Sequence, residues 1–87
     1  MLPDALSAQL SLFIDVLDAG SFSAAARRHG LTPSAVARRI DALEQALGCQ
    51  LFSRSTHAVR PMPAALAFAE RAQRIVQELH LARAEAT

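Results

Sequence analysis

The 87-residue chain is poor in several residue types, and each shortage excludes a class of protein. Tryptophan and tyrosine are absent and phenylalanine occurs four times, whereas alanine occurs nineteen times. The core is therefore predicted to consist of packed helices with small and aliphatic side chains, in one small domain. No apolar run is long enough to cross a bilayer, and the first nine residues lack the pattern of a signal peptide. We expect a cytoplasmic protein with no membrane contact.

Residues suited to metal binding and catalysis are also scarce. Cys49 is the single cysteine, so the chain has no second thiol for an internal disulfide or a metal site. His29, His57 and His80 fall in different predicted elements, with no cysteine or carboxylate at ligand spacing, and no glycine-rich phosphate loop is present. We expect no metal, no cofactor and no enzymatic activity.

Lysine is absent, so all nine basic residues are arginine, and the net charge is only +1. That net charge alone argues weakly for nucleic-acid binding, and the distribution of charge is more informative. Between Gly20 and Met62 the sequence has six arginines and only two acids, Asp41 and Glu44. The middle of the chain is therefore basic, while the remaining acids lie near its two ends.

Apolar spacing predicts a first amphipathic helix that ends at Gly20. Ser21 or Ser23 can cap a short second helix that runs to about His29, and Gly30 can adopt the left-handed conformation that ends it. The apolar face of the first helix is predicted to comprise Leu6, Leu10, Phe13, Ile14 and Leu17.

A third helix is predicted from Pro33 to Leu47, with Thr32 as its N-cap. Because successive residues are about 100° apart around a helix, Ser34 and Arg38 point away from the apolar stripe and toward solvent. The stripe itself consists of Val36, Ile40, Leu43 and Leu47.

The second and third helices together are predicted to form a DNA-binding helix-turn-helix over residues 22–41. Ala26, Gly30 and Val36 supply the small residue, the flexible residue and the apolar anchor that close packing across a tight turn requires. The first turn of the third helix presents free amides and hydroxyl side chains that can approach phosphates and base edges. A solvated arginine face is the alternative interpretation.

After Gly48 the sequence predicts a β-hairpin over residues 51–61. Leu51 and Val59 would anchor the hairpin to the core. Arg54, His57 and Arg60 would project toward phosphates or a minor groove. The turn lacks the Asn-Gly or Asp-Gly pair that is typical of tight hairpins.

The last part of the chain predicts a helix with a coiled-coil seam. Its apolar residues recur in alternating steps of four and three. The seam is short, so packing of this helix against its own domain is the alternative. We favour a homodimer, because a small domain leaves few places to bury the stripe formed by Phe68, Ala72, Ile75, Leu79 and Ala82.

Residues 6 to about 80 resemble the N-terminal DNA-binding domain of LysR-type transcriptional regulators. The resemblance is carried by AGSFSAAARRHGLTPSAVARRIDALEQALGCQLFSRS, from Ala19 to Ser55. Within it, Arg-x-Ile-x-x-Leu-Glu spans Arg38 to Glu44 and Leu-Gly-x-x-Leu-Phe-x-Arg ends at Arg54. This set of spaced matches is more specific than a helix-turn-helix pattern alone.

The resemblance implies a mainly α winged helix-turn-helix in residues 1–62, with three helices and a two-stranded wing, followed by a linker and dimerisation helix in residues 63–87. It implies sequence-specific binding of double-stranded DNA at a partly palindromic operator, with helix 33–47 in the major groove and wing 51–61 on the backbone or minor groove. The predicted DNA contacts are Ser23, Thr32, Pro33, Ser34, Ala35, Arg38, Arg39, Arg54, His57 and Arg60.

A small-molecule effector would act only through a C-terminal domain that this chain does not contain. The chain is therefore expected to be either a piece of a longer regulator or a stand-alone module. A winged-helix module that binds an acidic protein partner, without specific DNA binding, is the alternative function.

Four positions depart from the pattern of the family. Met62 replaces the threonine that caps the linker helix, which removes a hydroxyl N-cap. Ala37 stands where a hydroxyl residue is common in the third helix, and His57 and Ala58 stand where the wing tip is commonly basic. We expect these changes to affect contacts with DNA and to leave the fold intact.

Overall fold

The computed structural model describes residues 4–54 and 59–87, which form four helices and a two-stranded sheet. This architecture confirms the predicted winged helix-turn-helix followed by a long helix. The elements in chain order are α1 (Asp4–Ala19), α2 (Phe22–His29), α3 (Pro33–Leu47), β1 (Phe52–Arg54), β2 (Val59–Pro61) and α4 (Pro63–Ala86).

Short-range hydrogen bonds define the ends of α2 and α3. The hydroxyl of Ser21 accepts the amide three residues ahead at 3.1 Å, so Ser21 and not Ser23 caps α2. Thr32 caps α3 in the same way, also at 3.1 Å, as predicted. Gly30 ends α2 with a φ of 65°, a left-handed conformation that glycine adopts at little cost. The turn between the two helices is therefore fixed by local chemistry.

Phe13 of α1 lies at the centre of the core. Its ring centroid is 5.6 Å from that of Phe52 in β1 and 5.2 Å from that of Phe68 in α4. Phe13 is fully buried and Phe52 is 1% exposed. Tilted aromatic pairs of this kind stabilise a core by about 0.5–1.5 kcal/mol beyond the area that they bury. One residue thus joins the first helix, the wing and the last helix.

The predicted apolar face of α1 is only partly correct. Leu10 and Phe13 are buried as predicted, but Leu12 and Val16, which lay outside that face, are buried too. Because α1 contacts α2, α3 and α4, its covered surface is wider than a single stripe. The other members of the predicted face are only partly buried: Leu6, Ile14 and Leu17.

The predicted stripe of α3 is correct for Val36, Ile40 and Leu43, which are at most 1% exposed. The prediction is wrong for Leu47, which is 40% exposed. Leu47 is the last residue of the helix, and the chain turns toward the wing at Gly48. The core that covers the earlier part of the stripe does not reach this last turn.

The wing is an antiparallel pair in which Phe52 faces Pro61, Ser53 faces Arg60 and Arg54 faces Val59. Leu51, directly before β1, is fully buried, and Val59 packs against the core. Both predicted anchors are therefore confirmed. His57 lies outside the described residues, so its predicted contact with DNA stays a prediction.

The first half of α4 packs against its own domain, which was the alternative to a complete dimer seam. Ala72 is fully buried, and Phe68 is held against Phe13. The predicted seam is therefore wrong for Ala72, which its own domain covers completely, whereas Phe68 is only partly buried and its place in the seam stays a prediction. Ile75 remains 47% exposed, and Leu79 is only partly buried.

The start of α4 provides a test of local stability. Met62 occupies the N-cap position and makes no capping hydrogen bond through its side chain. Threonine at this position would supply a hydroxyl acceptor, whereas valine has the same shape without it. We expect Met62→Thr to have a free energy of unfolding about 1 kcal/mol higher than Met62→Val in urea denaturation. Equal stability of the two variants would contradict the missing cap.

Candidate nucleic-acid interface

The N-terminal part of α3 presents an uncovered polar face. Thr32, Pro33 and Ser34 are exposed and Ala35 is half-buried, while Arg38 lies on the same side one turn later and is also exposed. Burial of Val36 and Ile40 fixes the opposite side of the helix to the core. The predicted outward orientation of Ser34 and Arg38 is therefore confirmed.

The alanines of α2 set how closely this helix approaches its neighbours. Ala25 is fully buried and Ala26 is 2% exposed, and α2 contacts both α1 and α3. Larger side chains at these positions would overpack the contact and move the helices apart. Ser23, a predicted DNA contact, is exposed near the start of α2. Its contact with DNA is untested and stays a prediction.

In residues 4–54 and 59–62, before α4, four exposed arginines form no ion pair and no hydrogen bond with any described residue. Arg38 and Arg39 lie on α3 and Arg60 lies on β2. Arg27, on α2, was not among the predicted contacts. Its position four residues after Ser23, on the same face of a helix, is the sequence signal that could have identified it. These guanidinium groups are available to bind anions.

Arg28 and His29 are occupied by carboxylates of α1. Arg28 lies 3.0 Å from Asp18 and 3.6 Å from Asp15, and the Nε2 atom of His29 lies 2.5 Å from Asp15. These contacts brace the end of α2 against α1. Asp15 and Asp18 are thus turned to α2, where they pair with Arg28 and contact His29. The arginines of α3 have no ion-pair partner among the described residues.

Arg54 does not project freely from the wing, which corrects its predicted orientation. Its guanidinium pairs with Asp41 and lies 2.9 Å from Glu44, both on α3. It also lies over the ring of Phe22, 5.4 Å from the centroid. The alternation of side chains along a strand explains this arrangement, because Arg54 shares a face of β1 with the buried Phe52. The spacing of two residues between Phe52 and Arg54 is visible in the sequence and could have predicted that Arg54 points inward.

The described residues include no cluster of three or more histidine, cysteine or acidic side chains that could hold a metal ion. Cys49 is exposed and carries a free thiol. Over the same parts of the chain, no helix is long and apolar enough to span a membrane.

The sequence of the chain matches a known protein family. Residues 7–66 match the model of the bacterial regulatory helix-turn-helix proteins of the lysR family. The probable HTH-type transcriptional regulator LtrA of Klebsiella pneumoniae is 42% identical over 77 residues, which are 88% of this chain and 23% of LtrA. CrgA of Neisseria meningitidis is 38% identical over 79 residues, which are 91% of this chain and 26% of CrgA. The chain thus spans about a quarter of the length of these relatives.

Solved structures show the same architecture. The DNA-binding domain of CbnR, solved in complex with DNA, is 35% identical, with a TM-score of 0.81 over 93% of this chain and 98% of that one. The DNA-binding domain of BenM, solved with benA site 1 DNA, is 25% identical, with a TM-score of 0.84 over 92% of this chain and 90% of that one. The chain belongs to the LysR family of bacterial regulatory helix-turn-helix proteins and corresponds to their DNA-binding domain.

Proposed function

We propose that the chain binds specific sequences in double-stranded DNA, with α3 in the major groove and wing 51–61 on the backbone or minor groove. The observation that carries this proposal is the uncovered N-terminal face of α3, on which Arg38 and Arg39 are exposed and have no ion-pair partner among the described residues. The complexes of CbnR and BenM with DNA support it. The proposal places the chain in the cytoplasm, as a regulator without catalytic activity or cofactor.

The exposed residues divide into two kinds of contact. Side chains on the first turns of α3 approach base edges, and Arg38 can donate two parallel hydrogen bonds to a guanine. Arg39 and Arg60, together with Arg27, bind phosphates, which position the domain without reading sequence. The residues assigned to base edges are Thr32, Pro33, Ser34, Ala35 and Arg38.

The proposed active form is a homodimer that pairs through residues 63–87, while residues 1–62 bind DNA. Ile75, Leu79 and Ala82 line an open apolar groove together with Leu6 and Leu10 of α1. A second copy of the chain that covers this groove removes apolar surface from water. Two-fold pairing would place two α3 helices in successive major grooves of a partly palindromic operator.

DNA binding itself is tested by selecting duplexes from a random library and measuring their affinity at several salt concentrations. We expect enrichment of one partly palindromic sequence, with log K falling by roughly 0.9 per phosphate contact for each unit of log salt concentration. Failure to bind any duplex above the non-specific level, even at low salt, would overturn the proposal. It would then favour a module that binds an acidic protein partner.

The division of labour between α3 and the wing is tested by two single variants. Arg38→Ala should weaken binding to the selected duplex by about 1–3 kcal/mol and relax the preference at one or two base pairs. Arg60→Ala should weaken binding to all duplexes alike and reduce the salt slope by about 1. Fluorescence anisotropy with the selected duplex and with single-base variants measures both effects. The assignment fails if the two variants lose the same affinity on specific and random duplexes.

The proposed dimer is tested by two variants, each of which introduces an arginine on a different face of α4. Ile75 and Leu66 are 47% and 60% exposed. The nine residues that separate them place them on roughly opposite faces of the helix. We expect Ile75→Arg to shift the protein toward monomer in sedimentation equilibrium, because it buries a charge in the proposed interface, and Leu66→Arg to leave the dimer unchanged. Dissociation by Leu66→Arg alone would place the interface on the opposite face.

A further inference from the structure

We infer that Arg54 is a positioning residue that fixes the wing to α3, and that the contribution of Arg60 to DNA binding depends on it. The inference rests on the proposed function. It replaces the predicted role of Arg54 as a direct DNA contact, because the guanidinium is already occupied by Asp41 and Glu44.

The register of the wing separates the two arginines. Directly opposed residues of an antiparallel pair share a face of the sheet, and neighbours along a strand point to opposite faces. Phe52 is buried, so Arg54, two residues later, is on the inner face toward the helices. Arg60 faces Ser53 across the pair, and both are exposed on the outer face. Arg60 can therefore contact DNA from the outer face, while Arg54 attaches the inner face of the sheet to α3.

Glu44 is the anchor on α3. Its carboxylate accepts the backbone amides of Leu51 at 2.8 Å and Phe52 at 3.1 Å, and its other oxygen lies 2.9 Å from Arg54. The Glu44 side chain is only 13% exposed. Charge-assisted hydrogen bonds of this kind are stronger than neutral ones, and more so where water is partly excluded. One carboxylate of α3 thus holds the first part of β1.

Arg54 extends this attachment to the end of the strand. One nitrogen of its guanidinium bonds to Glu44, and another bonds to Asp41, one helical turn earlier on α3. The guanidinium carbon also lies over the ring of Phe22, the first residue of α2. Because the nitrogens of a guanidinium are held in a rigid fork, two carboxylates and a ring fix both the position and the angle of β1.

The wing needs such an attachment because it is small. Each of its strands has three residues, and a two-stranded hairpin is marginally stable in water by itself. Phe52 and Val59 anchor one side of the pair to the core. Release of Arg54 would allow the outer part of the wing to change its angle to α3, and Arg60 would no longer meet its phosphate.

A double-mutant cycle with Arg54→Gln and Arg60→Ala tests the inference on the selected duplex. In the wild-type background, Arg60→Ala should weaken binding about tenfold, as expected for a hydrogen bond to a charged group. In the Arg54→Gln background, we expect Arg60→Ala to weaken binding less than twofold, since the wing is already displaced. If Arg54 is an independent phosphate contact, Arg60→Ala costs about tenfold in both backgrounds, and the inference is wrong.

Two further variants accompany the cycle. One controls for the loss of a positive charge, and the other weakens the contacts of Arg54 without replacing it. Arg71→Gln removes an equal charge from an exposed position on α4 that does not line the groove of the proposed dimer, and Arg60→Ala should still cost about tenfold in that background. A smaller cost there would show that net charge accounts for the coupling, against the inference. Asp41→Asn leaves Arg54 in place but removes one of its two carboxylates, and should reduce the cost of Arg60→Ala. Circular dichroism at the assay temperature measures the folded fraction of every variant.

The possible outcomes distinguish a loss of folding, a loss of the coupling between Arg54 and Arg60, and a failure of the proposed DNA binding. A lower folded fraction weakens binding by the same factor with or without Arg60, so it does not produce coupling. If Arg54→Gln is unfolded at the assay temperature, the decision passes to Asp41→Asn, and an undiminished tenfold cost of Arg60→Ala there overturns the inference. Failure of the wild-type protein to bind any duplex overturns the proposed function and the inference together. Tight wild-type binding with independent effects overturns the inference alone.

Discussion

The contact of Phe13 with Phe52 and Phe68 is the interaction on which the rest of the structure depends. In a chain with only four aromatic residues, three meet at this point, and they belong to α1, the wing and α4. The fourth, Phe22, lies 6.4 Å from Phe52 and extends the cluster to α2. Large side chains supply much of the apolar area that a small domain can bury. Among the described residues, Ala25, Ala26, Ala65 and Ala72 are the alanines buried in the same core.

The second constraint is the distribution of carboxylates. Asp15 and Asp18 bind Arg28 at the back of the helix-turn-helix, and Asp41 and Glu44 bind Arg54 at the wing. Pairs as exposed as Arg28 with Asp18 contribute little to stability individually, whereas Glu44 is largely covered from water. The four carboxylates also have an electrostatic effect. Because they are paired with Arg28 and Arg54, they do not offset the positive charge of the other arginines near the interface. The arginines that remain unpaired among the described residues can then act on a polyanion, although the net charge is only +1.

The linker helix combines two roles in one apolar face. Its first half completes the core through Phe68 and Ala72, and its second half leaves Ile75 and Leu79 beside a groove. In the proposed dimer, the interface therefore continues directly from the core of each protomer. Such continuity would transmit the spacing of the two α4 helices to the two α3 helices, because each α4 is held by Phe13 of its own domain.

The sequence by itself determined the helix ends and the buried side of α3. Thr32 and Gly30 act on backbone groups within a few residues, and the stripe from Val36 to Leu43 follows from helical periodicity, so both are local. Only the tertiary structure decided that α4 packs on its own domain through Phe68, and that Arg54 is held by carboxylates 10 and 13 residues away. Contacts between distant segments depend on how the elements pack, which a local pattern does not encode.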